Sequence, residues 1–181
     1  MKNNLLITGE PGSGKTTVLL MALKEYLTEP FAGKVGGIYT TEMLAGSERV
    51  GFKLRVIGGG MATLAHTMMY SFSRQLGRYH VDTSAVYYVG LPAIMAACES
   101  AVVVVIDEVA RMQLMCDDFS PTVVAALDGD KPVVATVHSH SGSFTDEIKR
   151  RADVELVTVT PETREQCLAQ IQAWLRHYLP L

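Results

Sequence analysis

Leu5-Leu6-Ile7-Thr8-Gly9-Glu10-Pro11-Gly12-Ser13-Gly14-Lys15-Thr16-Thr17 is the stretch on which the fold turns. Residues 9–16 match G-x-x-x-x-G-K-[ST] without a mismatch. The apolar run Leu5 to Ile7 reads as a buried strand, and Val18 to Leu27 reads as a helix. A strand, a glycine loop and a helix are the setting this motif requires. A nucleoside triphosphate is a dense cluster of negative oxygens. Gly12 and Gly14 carry no side chains, so backbone N–H groups can close around a phosphate. The helix N-terminus adds partial positive charge. Lys15 can reach the β and γ oxygens, and the Thr16 hydroxyl can bind Mg²⁺. Gly9, Glu10, Pro11, Ser13 and Thr17 complete the candidate nucleotide-binding segment.

The second decisive stretch is Ala101-Val102-Val103-Val104-Val105-Ile106-Asp107-Glu108. A continuous β-branched run fits a central parallel strand covered on both faces. Asp107 at its carboxyl end can hold Mg²⁺. Glu108 can orient and deprotonate a water aimed at the γ-phosphate, which makes it a catalytic candidate beside Lys15. Pro132 to Val137 reads as another buried strand. Thr136 and His138 at its end could sense the γ-phosphate. His138 and His140 could instead suggest a metal, but no cysteine or defined carboxylate partner accompanies them.

The rest of the chain follows an alternating pattern. Lys34 to Thr41 reads as a strand, Met43 to Arg49 as a polar turn, and Val50 to Ile57 as a half-exposed strand, which together predict an inserted β-hairpin. Gly58-Gly59-Gly60 is a break. Met61 to Leu76 is ambiguous, and a short helix followed by a loop over the nucleotide is the expectation. Thr83 to Ser100 reads as a helix, with Gly90 and Pro92 as possible interruptions. A helix over Ser120 to Leu127 is expected to have Ser120 as cap and Pro121 at its first position. Phe144 to Arg151 is a short helix whose closing cations, Lys149, Arg150 and Arg151, are expected to be solvated. Val154 to Val159 is the last strand. Glu165 to Leu179 is the last helix, with Leu168, Ile171, Leu175 and Tyr178 on one face. Strands alternating with helices predict an α/β fold of the P-loop NTPase type, a mostly parallel sheet flanked by helices, with one hairpin insertion. No linker or repeat divides residues 1–181, so one domain is expected.

Composition sets the broad limits. The 181 residues are 48% apolar and 19% charged, as in globular chains. Net charge is −3, with no long basic run, so nucleic acid is not the expected partner. The first strand begins within a few residues of Met1, so no cleavable signal peptide is expected. The longest apolar run is too short to span a bilayer. Cys98, Cys116 and Cys167 are odd in number and widely spaced, which suits reduced thiols and a cytoplasmic location. The sequence specifies no protein partner.

Several segments together resemble the THEP1-type nucleoside-triphosphatase family, P-loop NTPases with a RecA/AAA-like core. They are Gly9 to Thr17, Gly37 to Glu42, Arg49-Val50-Gly51-Phe52, Gly77 to Asp82, Val105 to Val109 and Thr136 to His138. The resemblance implies slow, Mg²⁺-dependent hydrolysis of ATP, GTP and other triphosphates, with loose base selectivity. Three segments depart from the family pattern. Asp-Glu-Ile-Gly becomes Asp107-Glu108-Val109-Ala110, and Met43-Leu44-Ala45 stands where Glu-Val-Arg is usual. Thr163-Arg164-Glu165 replaces Asn-Arg-Asp near the base, leaving Arg164 to stack on it. Two alternatives stay open. One is a nucleoside or nucleotide kinase passing the γ-phosphate to a small acceptor, with Arg49, Arg55, Arg74 and Arg78 as lid candidates. The other is a regulatory nucleotide-binding module.

Overall fold

The computed structural model describes residues 3–28, 30–72, 74–139 and 142–180. Its centre is a single nine-stranded sheet in the order β5-β6-β4-β3-β2-β7-β8-β1-β9. Five strands form the parallel half: β1 (Asn4–Thr8), β2 (Val35–Ala45), β7 (Val103–Val109), β8 (Val133–Val137) and β9 (Val154–Thr158). The other four are β3 (Glu48–Val56), β4 (Met61–His66), β5 (Arg74–Leu76) and β6 (Tyr79–Val81). They extend the sheet in antiparallel fashion beyond β2.

The valine run behaves as its composition demands. Val103 and Val105 face one core with Leu5, Ile7, Val18 and Leu19, covered by α1 (Lys15–Leu23) and α6 (Arg164–Tyr178). Val104 and Ile106 face the other core with Leu6, Ile94, Phe119 and Ile148. That second layer is α3 (Leu91–Ser100), α4 (Phe119–Asp128) and α5 (Ser143–Lys149). Alternation along the strand explains the two-sided burial. Leu19, Phe119 and Ile171 are fully enclosed. Truncating such a side chain to alanine typically costs about 2–5 kcal/mol.

Several sequence expectations are corrected. The inserted hairpin exists, but it is the start of a four-stranded extension. β2 runs on to Ala45 and β3 begins at Glu48, so the segment Met43 to Arg49 is mostly strand, turned only at Gly46 and Ser47. Met61 to His66 is a strand rather than a helix, because it pairs with β3, for example Ala62 with Leu54 and Ala65 with Phe52. Helix-favouring Met, Ala and Leu lose here to ladder bonds and to burial of Leu64 and Ala65. Met68 and Tyr70 beyond it are exposed.

The helix over 83–100 is continuous but widened. α2 (Thr83–Ala85) passes into a π-helical segment, Val86–Gly90, then α3. Pro92 has no N–H to give to the preceding turn, and the wide turn lies just ahead of it. Asp82 caps the start, accepting from the Ser84 backbone N–H at 2.9 Å. Ser120 is not a cap: α4 begins at Phe119 after Asp118. Two of the three cations closing α5 are paired rather than solvated, while Arg150 is exposed as expected. Lys149 lies 3.1 Å from Asp146, and Arg151 bridges Asp128 and Asp153 at 2.7 and 2.8 Å.

Candidate active site

The loop from Gly9 to Gly14 joins β1 to α1 at the carboxyl end of the parallel strands, where α/β folds place ligands. Two of its glycines are required by geometry. Gly9 (φ 152°) brings its backbone so close to β9 that a Cβ would sit 2.3 Å from the Val159 carbonyl. Gly14 (φ 100°) is the left-handed residue from which α1 starts, and a Cβ there would meet Arg164 Nε at 2.9 Å. Lys15 is 7% exposed. Its ammonium donates to the carbonyls of Gly9 (2.9 Å) and Glu10 (3.2 Å), folding the side chain back over the loop.

Thr16 donates its hydroxyl to Asp107 Oδ1 at 2.8 Å, which brings the two metal-binding candidates together. Asp107 is fully buried. Thr136 donates to the same oxygen at 2.5 Å, and the Thr40 N–H to Oδ2 at 3.2 Å. Burial raises its carboxyl above the ordinary value, while the bonds from Thr136, Thr16 and Thr40 and the Lys15 charge oppose that shift. Thr136 is itself fully buried and committed to this carboxylate. Its expected role as a γ-phosphate sensor therefore gives way to holding Asp107. A buried carboxylate and a hydroxyl are hard oxygen donors of the kind Mg²⁺ selects. Among the described residues no group of three or more His, Cys, Asp and Glu could hold a metal. The site thus fits an ion that keeps most of its shell as water and phosphate oxygen. His140, half of the alternative histidine pair, lies outside the described residues.

Glu108 shares the end of β7 with Asp107. Ile106 pairs with Ala135 and Val109 with Val137, so Asp107 and Glu108 together stand opposite Thr136 alone. Two residues opposing one is a β-bulge, which re-aims side chains from simple alternation. Glu108 lines the crevice in front of the loop with Pro11, Gly12, Gly14, Lys15, Thr16 and Thr17. Thr41, Glu42, Arg49, Phe52 and His138 form its far side, and the crevice holds about 570 Å³. Burial pushes the Glu108 carboxyl up to about 7, the Asp107 charge adds to this, and Lys15 opposes it.

Glu10 and Ser13 face a different cavity, behind the loop. Arg164 at the start of α6 donates Nε to the Ser13 carbonyl at 2.7 Å, and Nη2 to Gly12 at 3.4 Å. It therefore braces the loop from the α6 side.

Sequence reading missed Thr40, Gln113 and Tyr79. The Thr40 hydroxyl donates to the Asp107 carbonyl at 3.0 Å, and Gln113 donates to Thr40 at 3.2 Å. Arg49 donates to Tyr79 at 3.1 Å and to Glu42 at 2.6 Å. Burial alone would raise the Tyr79 phenol, but hydrogen bonds from Arg49 and Arg78 outweigh it and leave the group below its ordinary value. The prior signals for Thr40 were a polar residue at the end of an apolar strand and its place in the Gly37 to Glu42 segment.

A phosphate loop, a buried metal-side aspartate and an adjacent glutamate on this sheet define a P-loop nucleoside-triphosphatase site. A family model described as NTPase matches residues 4–172. The chain belongs to this family of THEP1-type nucleoside-triphosphatases. It is 40% identical over 165 residues to nucleoside-triphosphatase THEP1 of Thermofilum pendens, covering 90% of this chain and 89% of that one. It is 33% identical over 172 residues to the same-named protein of Thermotoga maritima, covering 95% of each. The crystal structure of THEP1 from the hyperthermophile Aquifex aeolicus superposes with a TM-score of 0.83 at 27% identity, over 95% of this chain and 98% of that one. A human cancer-related nucleoside triphosphatase, solved in solution, gives 0.79 at 28% identity, over 96% of this chain and 97% of that one. No helix among the described residues is long and apolar enough to cross a membrane.

Proposed function

We propose that this chain hydrolyses nucleoside triphosphates, ATP and GTP among them, to the diphosphate and phosphate in the crevice before the loop. The observation that carries this reading is the placement of Glu108. Glu108 lines the crevice with Lys15 and Thr16, while Asp107, beside it in sequence, bonds Thr16. Backbone N–H groups around Gly12 and Gly14 cradle the phosphates. Lys15 leaves its two carbonyl partners to meet β and γ oxygens. Thr16 and Asp107 would hold Mg²⁺, which when bound neutralises charge on the β- and γ-phosphates. Glu108 holds a water in line with the γ-phosphorus and takes its proton. The water oxygen bonds to phosphorus, the bond to the bridging oxygen breaks, and the diphosphate leaves. Arg49 on the far wall would leave Glu42 to meet the charge that develops.

Arg164 packs beside Gly14, so a guanidinium face can stack on the base. Stacking tolerates any base, which supports broad selectivity. The names of the relatives favour water over the small-molecule acceptor of a kinase. Phosphate release from ATP, GTP, CTP and UTP, with and without Mg²⁺ and with no other acceptor present, tests the reading. Release from at least ATP and GTP, requiring Mg²⁺, supports it. Diphosphate formed only on adding an alcohol acceptor, with the phosphoryl group transferred to that alcohol and no free phosphate released, would overturn it.

A further inference from the structure

A second cavity, of about 390 Å³, lies between the antiparallel extension and the segment after β7. It shares Thr40, Arg49, Phe52, Glu108 and His138 with the phosphate crevice, so the two spaces meet at the catalytic carboxylate. Nothing in the hydrolysis of a triphosphate requires it. Its size lies within the range of about 300–1,000 Å³ usual for small-ligand sites.

The walls have a consistent character. Phe52, Leu64, Leu76 and Met112 supply an apolar side. Arg49, Arg78 and Arg111 supply cations. Arg111 is exposed and has no hydrogen bond or ion pair among the described residues. Arg78 donates Nη2 to the Arg49 carbonyl and to the Tyr79 hydroxyl, and pairs through Nη1 with Glu48 at 2.8 Å, both side chains of that pair being more than half exposed (52% and 66%). A pair that exposed contributes little, so an incoming anion can displace Glu48. Gln113 provides an independent sign of a ligand. Its side chain is 1% exposed and lines this cavity, its amide nitrogen is used by Thr40, and its Oε1 has no partner. Buried polar atoms are normally satisfied, so an anionic head that keeps one acidic O–H, such as a phosphonate monoanion, answers it by donating to Oε1.

We propose that this cavity is a second ligand site, taking a small molecule with an anionic head and an apolar or aromatic body. The head meets Arg78 and Arg111, and the body lies on Phe52, Leu64 and Met112. The relay from Gln113 through Thr40 to Asp107, with the shared Glu108, makes occupancy alter triphosphate hydrolysis. That last element rests on the function proposed above, whereas binding itself does not.

Calorimetry on protein saturated with Mg²⁺ and ADP, so that the phosphate loop is filled, tests the site with phenylphosphonate as probe. One saturable site is expected, at least tenfold weaker for methylphosphonate and for inorganic phosphate. Arg78→Gln, a change at an exposed side chain, should weaken it at least tenfold. Leu76→Trp, which fills the apolar side, should do the same. Absence of binding, equal binding of methylphosphonate or phosphate, or binding untouched by both variants would overturn the site. Phenylphosphonate should also change wild-type ATP hydrolysis at least twofold and leave Arg78→Gln hydrolysis unaltered. Binding with no change in hydrolysis would remove the coupling. Loss of all hydrolysis in unliganded wild type would instead count against the triphosphatase reading, with the binding result standing.

Discussion

The Thr16 hydroxyl donates to Asp107 Oδ1 across 2.8 Å, although 91 positions separate the two residues in the chain. That single bond ties the start of α1 to the end of β7. It also brings Thr16 beside Thr136, which donates to the same carboxylate oxygen.

Thr136→Val removes one of those donors and keeps the shape. A hydrogen bond to a charged group contributes about 1.5–3 kcal/mol, so activity should drop by roughly tenfold or more. The Thr136 bond opposes the upward push of burial on Asp107. Its loss moves that carboxyl further up, and the acid limb of the pH–rate profile should shift to higher pH. An unchanged rate and an unchanged acid limb would mean that Thr136 does not hold Asp107.

Lys15→Ala removes the cation proposed to meet the β and γ oxygens, together with the two bonds that fold it over the loop. Nucleotide affinity or turnover should fall at least tenfold, about 1.4 kcal/mol at the affected step. Wild-type values for both, from ADP titration and phosphate release, would contradict the assignment of this loop.

The pH dependence of turnover follows from Glu108, whose carboxyl sits at about 7, raised first by burial and then by Asp107. The base is the ionised form, so kcat/KM should rise with pH through about 7 and level off above it. Stability runs the opposite way. The folded state holds this proton more tightly than the unfolded chain. Glu108 therefore stabilises the fold fully below the ordinary glutamate range and loses that contribution as pH rises through about 7. Thermal unfolding should show Glu108→Gln gaining on wild type between pH 5 and pH 8. A difference independent of pH would rule out the raised carboxyl.

Base selectivity should be loose. Arg164 offers a stacking surface rather than a donor–acceptor set, so kcat/KM for ATP and GTP should differ by less than about 100-fold, roughly 2.7 kcal/mol. Arg164→Ala should weaken both alike, because it also removes the brace on Ser13. Activity confined to one triphosphate would contradict this.

Much of the site was legible because its residues are consecutive. The loop from Gly9 to Thr17 and the strand ending in Asp107-Glu108 each carry their own local signal, and the structure brings Thr16 to Asp107 as expected. The antiparallel extension was less legible. Met61 to His66 has no strong strand composition, and only pairing with β3 makes it a strand. Thr40 and Gln113 act through hydrogen bonds spanning 67 and 73 positions, which no local pattern encodes. At Asp107 and Glu108 the simple alternation of an extended strand is broken by a bulge, a feature of strand register rather than of either residue.

The most direct measurement is a paired one on Glu108→Gln: ATP affinity with Mg²⁺, and the rate of phosphate release. Lys15, Thr16 and Asp107 are untouched, and glutamine keeps the size and a hydrogen bond to water while losing the base. Removing a positioned base typically costs about 10²–10⁴ in rate. The expected result is near-normal affinity with phosphate release reduced by about a hundredfold or more. Hydrolysis at the wild-type rate would contradict Glu108 as the base, and with it the reading of the crevice in which that carboxyl activates water.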